Sequence, residues 1–345
     1  MKNGQMHIST YMKLLNKKSV FWIGIIVMLV LIILSIFAGN SSVSSQEIIN
    51  SIIHPKDSLD SVNTIIYNIR LPRIVAASIC GAALSLSGLI AQEALSNNLA
   101  SPSVMGINNG AGLFVLFSSI LFPGMIFVRP LMAFVGSMVS ACIVYVITRY
   151  AGSAKSTFIL SGVAVSALMS AGINLIITIE PDSVYDKVAF QLGSLSGIRW
   201  NTLIVPIFVI IFSLIAASYM SKGIELFSLG DETAYSLGVN VRVYRVMALL
   251  LSVLLAASAV SVCGLVSFVG LIVPNIIRLI DECSFRVRLG LSTVWGINLL
   301  LISDYIARNV AYPYELPVGM LISLLGAPFF ILMIIRKRRK SGDVR

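Results

Sequence analysis

The sequence predicts an all-α polytopic membrane protein with about ten transmembrane helices. Two observations carry that prediction: long apolar runs that hold almost no charge, and basic residues that gather in every second segment between them. A third agrees with them. Charged residues make up 12% of the chain, against about 25% in soluble domains, and mean hydropathy is +0.93. A helix needs about 20 apolar residues to cross about 30 Å of hydrocarbon. No polar stretch is long enough to fold alone, so residues 1–345 are read as a single transmembrane domain.

Taken in order, the first span covers about 20–39 and follows Lys13, Lys17 and Lys18. Its apolar run is too long for a signal peptide and no small-residue cleavage site follows, so it is read as an uncleaved span. Segment 40–69 is the longest polar loop, with Glu47, His54, Pro55, Asp57 and Asp60. Spans at about 70–94, 104–122, 128–149 and 157–179 come next, then a second polar loop at 180–200. A span at 201–220 leads into segment 221–243, where Leu226, Leu229, Ala234 and Leu237 alternate with Asp231, Glu232 and Tyr235. That spacing predicts short amphipathic helices. Spans at 244–262, 265–281, 289–307 and 316–335 precede a basic tail, 336–345.

Charge orients these spans. With both termini on one side, that side receives 18 basic residues and the other 7. The bias is that of cytoplasmic loops, so both termini are expected to be cytoplasmic. The net charge of +10 therefore serves topology and needs no nucleic acid. The cluster Arg336–Lys340 also suits anionic membrane lipid.

Two stretches break the helical pattern at membrane depth: 96–112, with Pro102, Gly106, Gly110 and Gly112, and 263–274, with Gly264, Gly270 and Pro274. Each follows a helix-like run. Paired interruptions of this kind point to an inverted repeat of transporter type; glycine-mediated helix packing explains any single one of them equally well.

The missing chemistry narrows the function. No Gly-Lys pair exists, so there is no Walker phosphate loop. The two histidines, His7 and His54, lie outside the spans, which excludes an intramembrane Ser-His or HExxH site. Cys80, Cys142, Cys263 and Cys283 are scattered, without metal-site spacing. No cofactor, metal or catalytic residue is expected. Glu93, Arg278, Asp304, Arg308 and Glu315 all fall at span ends, whereas ion-coupled transporters keep charge in mid-span. Energy is thus expected from another subunit.

Several blocks then become specific. They are Arg70-Leu-Pro-Arg73; Gly81-Ala-Ala-Leu-Ser-Leu-Ser-Gly88 with Gln92; Asn97-Asn-Leu-Ala-Ser-Pro102 leading to Met105-Gly-Ile-Asn-Asn-Gly-Ala111; Leu229-Gly-Asp-Glu-Thr-Ala-Tyr-Ser-Leu-Gly-Val239; and Gly264-Leu-Val-Ser-Phe-Val-Gly-Leu-Ile-Val-Pro274 with Arg278. Asp304-Tyr-Ile-Ala-Arg308, Glu315-Leu-Pro-Val-Gly319 and Gly326-Ala-Pro-Phe329 complete the series. Across nearly its whole length the chain resembles the FecCD-type permeases of ABC importers, which take up ferric siderophores, haem and vitamin B12. It departs from their pattern at Asn98, where proline is usual, and at Asn275, where histidine is usual.

The resemblance implies a type II ABC importer permease in the bacterial cytoplasmic membrane. Its implied partners are a second permease subunit, identical or paralogous, two cytoplasmic ATPases and an extracytoplasmic substrate-binding protein. It implies that Arg70 and Arg73 receive carboxylates of that binding protein, with Arg308 on the same outer surface; interfacial snorkelling and an internal pair between Arg308 and Asp304 are the structural alternatives. It implies that the segment with Leu229, Gly230, Asp231, Glu232, Ala234, Leu237 and Gly238 seats on the ATPase, with Gly230 and Gly238 bounding a short helix. It implies that spans 157–179 and 316–335 line the passage, with Ser161, Ser166, Ser170, Asn174 and Ser323 as polar candidates. Glu315 is expected to cap and bend the last span.

Overall fold

The computed structural model describes residues 16–37, 44–53, 61–125, 127–151, 155–226, 230–238, 240–280, 283–311 and 313–342. The described residues form fourteen α-helices with short 3-10 and π turns and no strand: α1 (Lys17–Phe37), α2 (Ser45–Ile53), α3 (Leu71–Ala94), α4 (Ile107–Leu121), α5 (Val128–Ala151), α6 (Lys155–Ile179), α7 (Val184–Leu192), α8 (Trp200–Tyr219), α9 (Ser221–Leu226), α10 (Asp231–Ser236), α11 (Val241–Cys263), α12 (Val269–Ile277), α13 (Phe285–Asn309) and α14 (Val318–Gly342). A further single turn, Ser61–Thr64, and a π-helical turn, Ile65–Arg70, run into α3 without a break.

Seven of these helices are long and apolar enough to cross a membrane; Ile107–Leu121 and Val318–Met333 are shorter apolar stretches. Nine of the ten expected spans therefore correspond to long or apolar helices. The tenth, 265–281, does not form one continuous span. Its helical part, α12, has nine residues and is about 13 Å long at 1.5 Å per residue, less than half the hydrocarbon thickness. Gly264 and Phe268 take left-handed φ of 68° each, and the stretch between them is extended. The earlier break is similar in kind: α3 ends at Ala94, a 3-10 turn spans Pro102–Met105, and Gly106, at φ 72°, opens α4.

The core is a set of close helix crossings. α3 is buried along nearly its whole length. It packs against α13 on one side and α11 on the other. Cys80 Sγ lies against Ala259 O, while Ser87 and Ser252 exchange hydroxyl-to-carbonyl bonds; the rising and falling numbers show that α3 and α11 run antiparallel. Where α3 meets α13, a Cβ on Gly81 would stand 2.4 Å from Gly296 O. Only glycine permits that approach. Dispersion and buried hydroxyl bonds hold such crossings, since the surrounding lipid is as apolar as leucine.

The second half repeats the scheme of the first. α4 packs on α5, and α12 on α13; α6 covers α4 and α5, and α14 covers α12 and α13. The chain thus forms two interleaved four-helix units, α3–α6 and α11–α14, each with an interruption after its first helix. α1 stands outside this repeat and packs mainly on α13.

The polar segments also fold. Segment 40–69 contains α2, and 180–200 contains a 3-10 turn and α7. Segment 221–243 forms α9 and α10, as its amphipathic spacing suggests. The basic tail continues α14 as far as Gly342.

Candidate functional site

Three regions of the bundle have the chemistry expected of a working site: two charged hubs at opposite ends of α3, and the exposed faces of α6 and α14.

At the start of α3, Arg73 Nε donates to Asp304 Oδ1 at 2.9 Å and its Nη1 to Glu315 Oε2 at 2.8 Å. Arg308 Nε reaches Asp304 Oδ2 at 3.1 Å, and its Nη1 points to Ser35 O at 3.5 Å. Arg70 Nη1 donates to Ile36 O. The three arginines are 4%, 6% and 3% exposed in the order Arg70, Arg73, Arg308. Arg73 and Arg308 flank the carboxylate of Asp304, which is 1% exposed within the apolar bundle and needs cations around it. Together they tie the outer ends of α1, α3 and α13 and the turn before α14. Glu315 lies in the turn before α14, and its carboxylate accepts from Arg73. Its side chain, 33% exposed, is the member of the hub that reaches the surface.

At the other end of α3, Glu93 Oε1 accepts from Arg278 Nη2 at 2.8 Å and from Arg288 Nη1 at 2.7 Å. The sequence marked Glu93 and Arg278 as span-end charges and counted Arg288 among the basic residues of one side, without pairing any of them. Gln92 Nε2 donates to Gly270 O, and Arg245 Nε to Ala94 O. Asn275 Nδ2 donates to Asn98 O at 3.0 Å and to Leu271 O at 2.7 Å. The two positions that depart from the family pattern therefore touch each other. This hub locks the end of α3, the end of α12 and the start of α13 into one body.

α10 lies on the same side as this second hub, between α9 and the start of α11. Gly230, at φ 96°, and Gly238, at φ 84°, flank it, so the expected glycine boundaries are present. Ala234 is buried, whereas Glu232, Tyr235 and Leu237 are exposed. Asp231 contributes the first helical residue; Leu229 and Val239 lie outside the described residues. α10 is thus a six-residue helix anchored by one alanine, with an exposed tyrosine and leucine.

The passage candidates divide. Ser161 is buried in the bundle. Ser166 and Ser170 are half-buried and Asn174 exposed, one turn apart along α6. Ser166 O accepts from Asn109 Nδ2 at 3.1 Å, and Asn174 O from Thr178 Oγ1 at 2.8 Å. Ser323, half-buried on α14, returns its hydroxyl to Gly319 O at 2.8 Å. Leu160, Val163, Leu168 and Leu175 on α6, and Leu324 and Leu325 on α14, are exposed.

Among the described residues no Asp, Glu, Lys, Arg or His occupies the middle of a long helix. Fold and site together define a polytopic membrane permease.

The chain belongs to the FecCD transport family, which matches residues 27–336. It is 34% identical to a putative ABC transporter permease of Methanocaldococcus jannaschii over 97% of this chain and 100% of that one. It is 36% identical to the hemin transport system permease of Yersinia pestis, over 80% of this chain and 84% of that one. Identity to the Fe(3+) dicitrate transport system permease of Escherichia coli is 35%, over 78% and 84%. Among solved structures, an inward-facing putative metal-chelate type ABC transporter superposes with TM-score 0.81 at 24% identity, covering 92% of this chain and 99% of that one. The chain is accordingly an ABC importer permease.

Proposed function

We propose that this permease carries a ferric siderophore across the bacterial cytoplasmic membrane, with haem or a cobalamin as the alternative cargo. The names of its relatives support an iron-chelate cargo: ferric citrate, iron hydroxamate and hemin. It pairs with a second permease, a copy or a paralogue, and the exposed faces of α6 and α14 line the passage between them. Two ATPases engage α10 and its glycine-bounded edges on the cytoplasmic side, where both termini lie. A loaded binding protein docks on the opposite face, above the hub of Arg70, Arg73 and Arg308, where Glu315 is the accessible charge. The chain breaks no bond in its cargo.

The observation that carries this reading is the absence of mid-helix charge among the described spans, combined with the short exposed helix α10. A gate without coupling charges must be worked from outside. Uptake of radiolabelled ferric chelates, haem and cobalamin into vesicles holding the full transporter tests it. Vanadate is expected to abolish uptake and an uncoupler to leave it. Uptake that continues without ATP and collapses with the uncoupler would refute the reading in favour of an ion-coupled carrier.

A further inference from the structure

On the flank of the bundle, away from the faces of α6 and α14, a cavity of about 360 Å³ opens between α1, α12 and α13. Val20, Ile276, Ile280, Trp295 and Ile302 are among its lining, and the wall is almost wholly apolar. The cavity exists because α12 has only nine residues and covers part of the 25-residue α13. From Trp295 to Ile302 the lining runs about 10 Å along the helix axis. Ile276 and Ile302 are more than one-third exposed, so the groove opens sideways to the surrounding hydrocarbon.

The inner mouth of this groove is basic. Asn298 Nδ2 donates to Gly24 O, and Arg308 points to Ser35 O, so α1 and α13 run parallel and start on the same side. Their first turns carry Lys17, Lys18, Arg286 and Arg288. Cations at helix N-termini oppose the helix dipole, and both termini gain from an anion placed between them. Lys18 and Arg286 are exposed; Arg288 and Arg278 serve Glu93. Among the described residues here, Lys17, Lys18, Arg278, Arg286 and Arg288 outnumber the one carboxylate, Glu93.

We propose that the groove is a binding site for an anionic glycerophospholipid of the cytoplasmic leaflet. One acyl chain lies along Trp295 and Ile302, and the phosphate rests on Lys18 and Arg286. Burying a chain there removes apolar wall from a void, and the headgroup contacts supply selectivity over zwitterionic lipid.

Trp295 makes the proposal measurable, since bromine on an acyl chain quenches a tryptophan it touches. The full chain is reconstituted with Trp22→Phe and Trp200→Phe, leaving Trp295 as the sole reporter. It is titrated with chain-brominated phosphatidylglycerol or phosphatidylcholine. Half-maximal quenching by phosphatidylglycerol is expected at a several-fold lower mole fraction. Lys18→Ala with Arg286→Ala should bring the two lipids to parity while leaving the helical circular dichroism unchanged. A second variant, with Trp22 as sole reporter on the lipid-facing side of α1, should show no preference. Equal quenching of Trp295 by both lipids, or an equal preference at Trp22, would reduce the site to ordinary annular lipid and overturn the proposal. No quenching by either lipid would show that protein, such as a second copy, fills the groove, and would overturn it too.

Discussion

Replacing Glu93 by glutamine should loosen the inner end of the bundle more than any other isosteric change. One carboxylate oxygen accepts from both Arg278, at 2.8 Å, and Arg288, at 2.7 Å. The two guanidinium nitrogens therefore stand within about 5.5 Å of each other, a separation at which like charges repel by about 3 kcal/mol at an effective dielectric near 20. Glu93 now cancels that repulsion. Its side chain is 8% exposed and the arginines 17% and 14%, so water screens the pair only in part. Breaking a buried pair by removing one partner costs about 3–5 kcal/mol, and the repulsion estimate agrees. At about 2.1 cal/mol/K of unfolding entropy per residue, a 345-residue chain shifts by about 1.4 °C per kcal/mol, so the detergent-solubilised variant should lose roughly 4–7 °C of apparent melting temperature. Adding Arg288→Met to Glu93→Gln removes the uncompensated cation and should recover about half of the loss. A single variant that melts within about 2 °C of the parent, or a double variant no better than the single, would refute the hub as a stabilising element.

Three further outcomes follow from other sites. Arg73→Met leaves Asp304 and Glu315 sharing Arg308 and should cost about 3–5 kcal/mol, whereas Glu315→Gln, at the solvent edge, should cost about 1 kcal/mol or less; melting curves of the two variants compared side by side check the ranking. Gly81→Leu drives a side chain into the Gly296 carbonyl, with the first atom already at 2.4 Å, and should abolish the monodisperse peak in size-exclusion chromatography. Gly238→Val strains a left-handed φ of 84° by about 1–2 kcal/mol in a helix joined only to its neighbours. It should leave the melting temperature nearly unchanged while lowering uptake per ATP hydrolysed, measured in the same vesicles.

Much of the architecture is legible in the residues themselves. The charge-free runs mark the long helices because hydrocarbon tolerates little else, and the glycine and proline clusters at 96–112 and 263–274 mark both interruptions. Gly230 and Gly238 mark the ends of α10. The sequence marks the break at 263–274 but not where the short helix resumes, since Gly270 and Pro274 fall inside that helix. Nor does it show where the end charges go. Glu93 meets Arg278 and Arg288 across 185 and 195 residues, and Arg73 meets Glu315 across 242. From the chain alone, an arginine at a span end is equally a snorkelling anchor, a docking contact or an internal partner. The pairing of Arg73 and Arg308 is decided by Asp304, whose burial depends on how α13 packs on α3.

The placement of α1 has a consequence for how the protein is made. It leaves the ribosome well before the helix it rests on, α13, which begins about 250 residues later. At roughly 5–20 residues per second, α1 waits on the order of 10–50 s in the bilayer without its mate. Its window hydropathy of 3.1 is the highest of the seven long helices, and that of α13, at 1.4, is the lowest. The partner made earlier is thus the one best able to survive alone in lipid, and the most polar span follows only when a prepared seat awaits it.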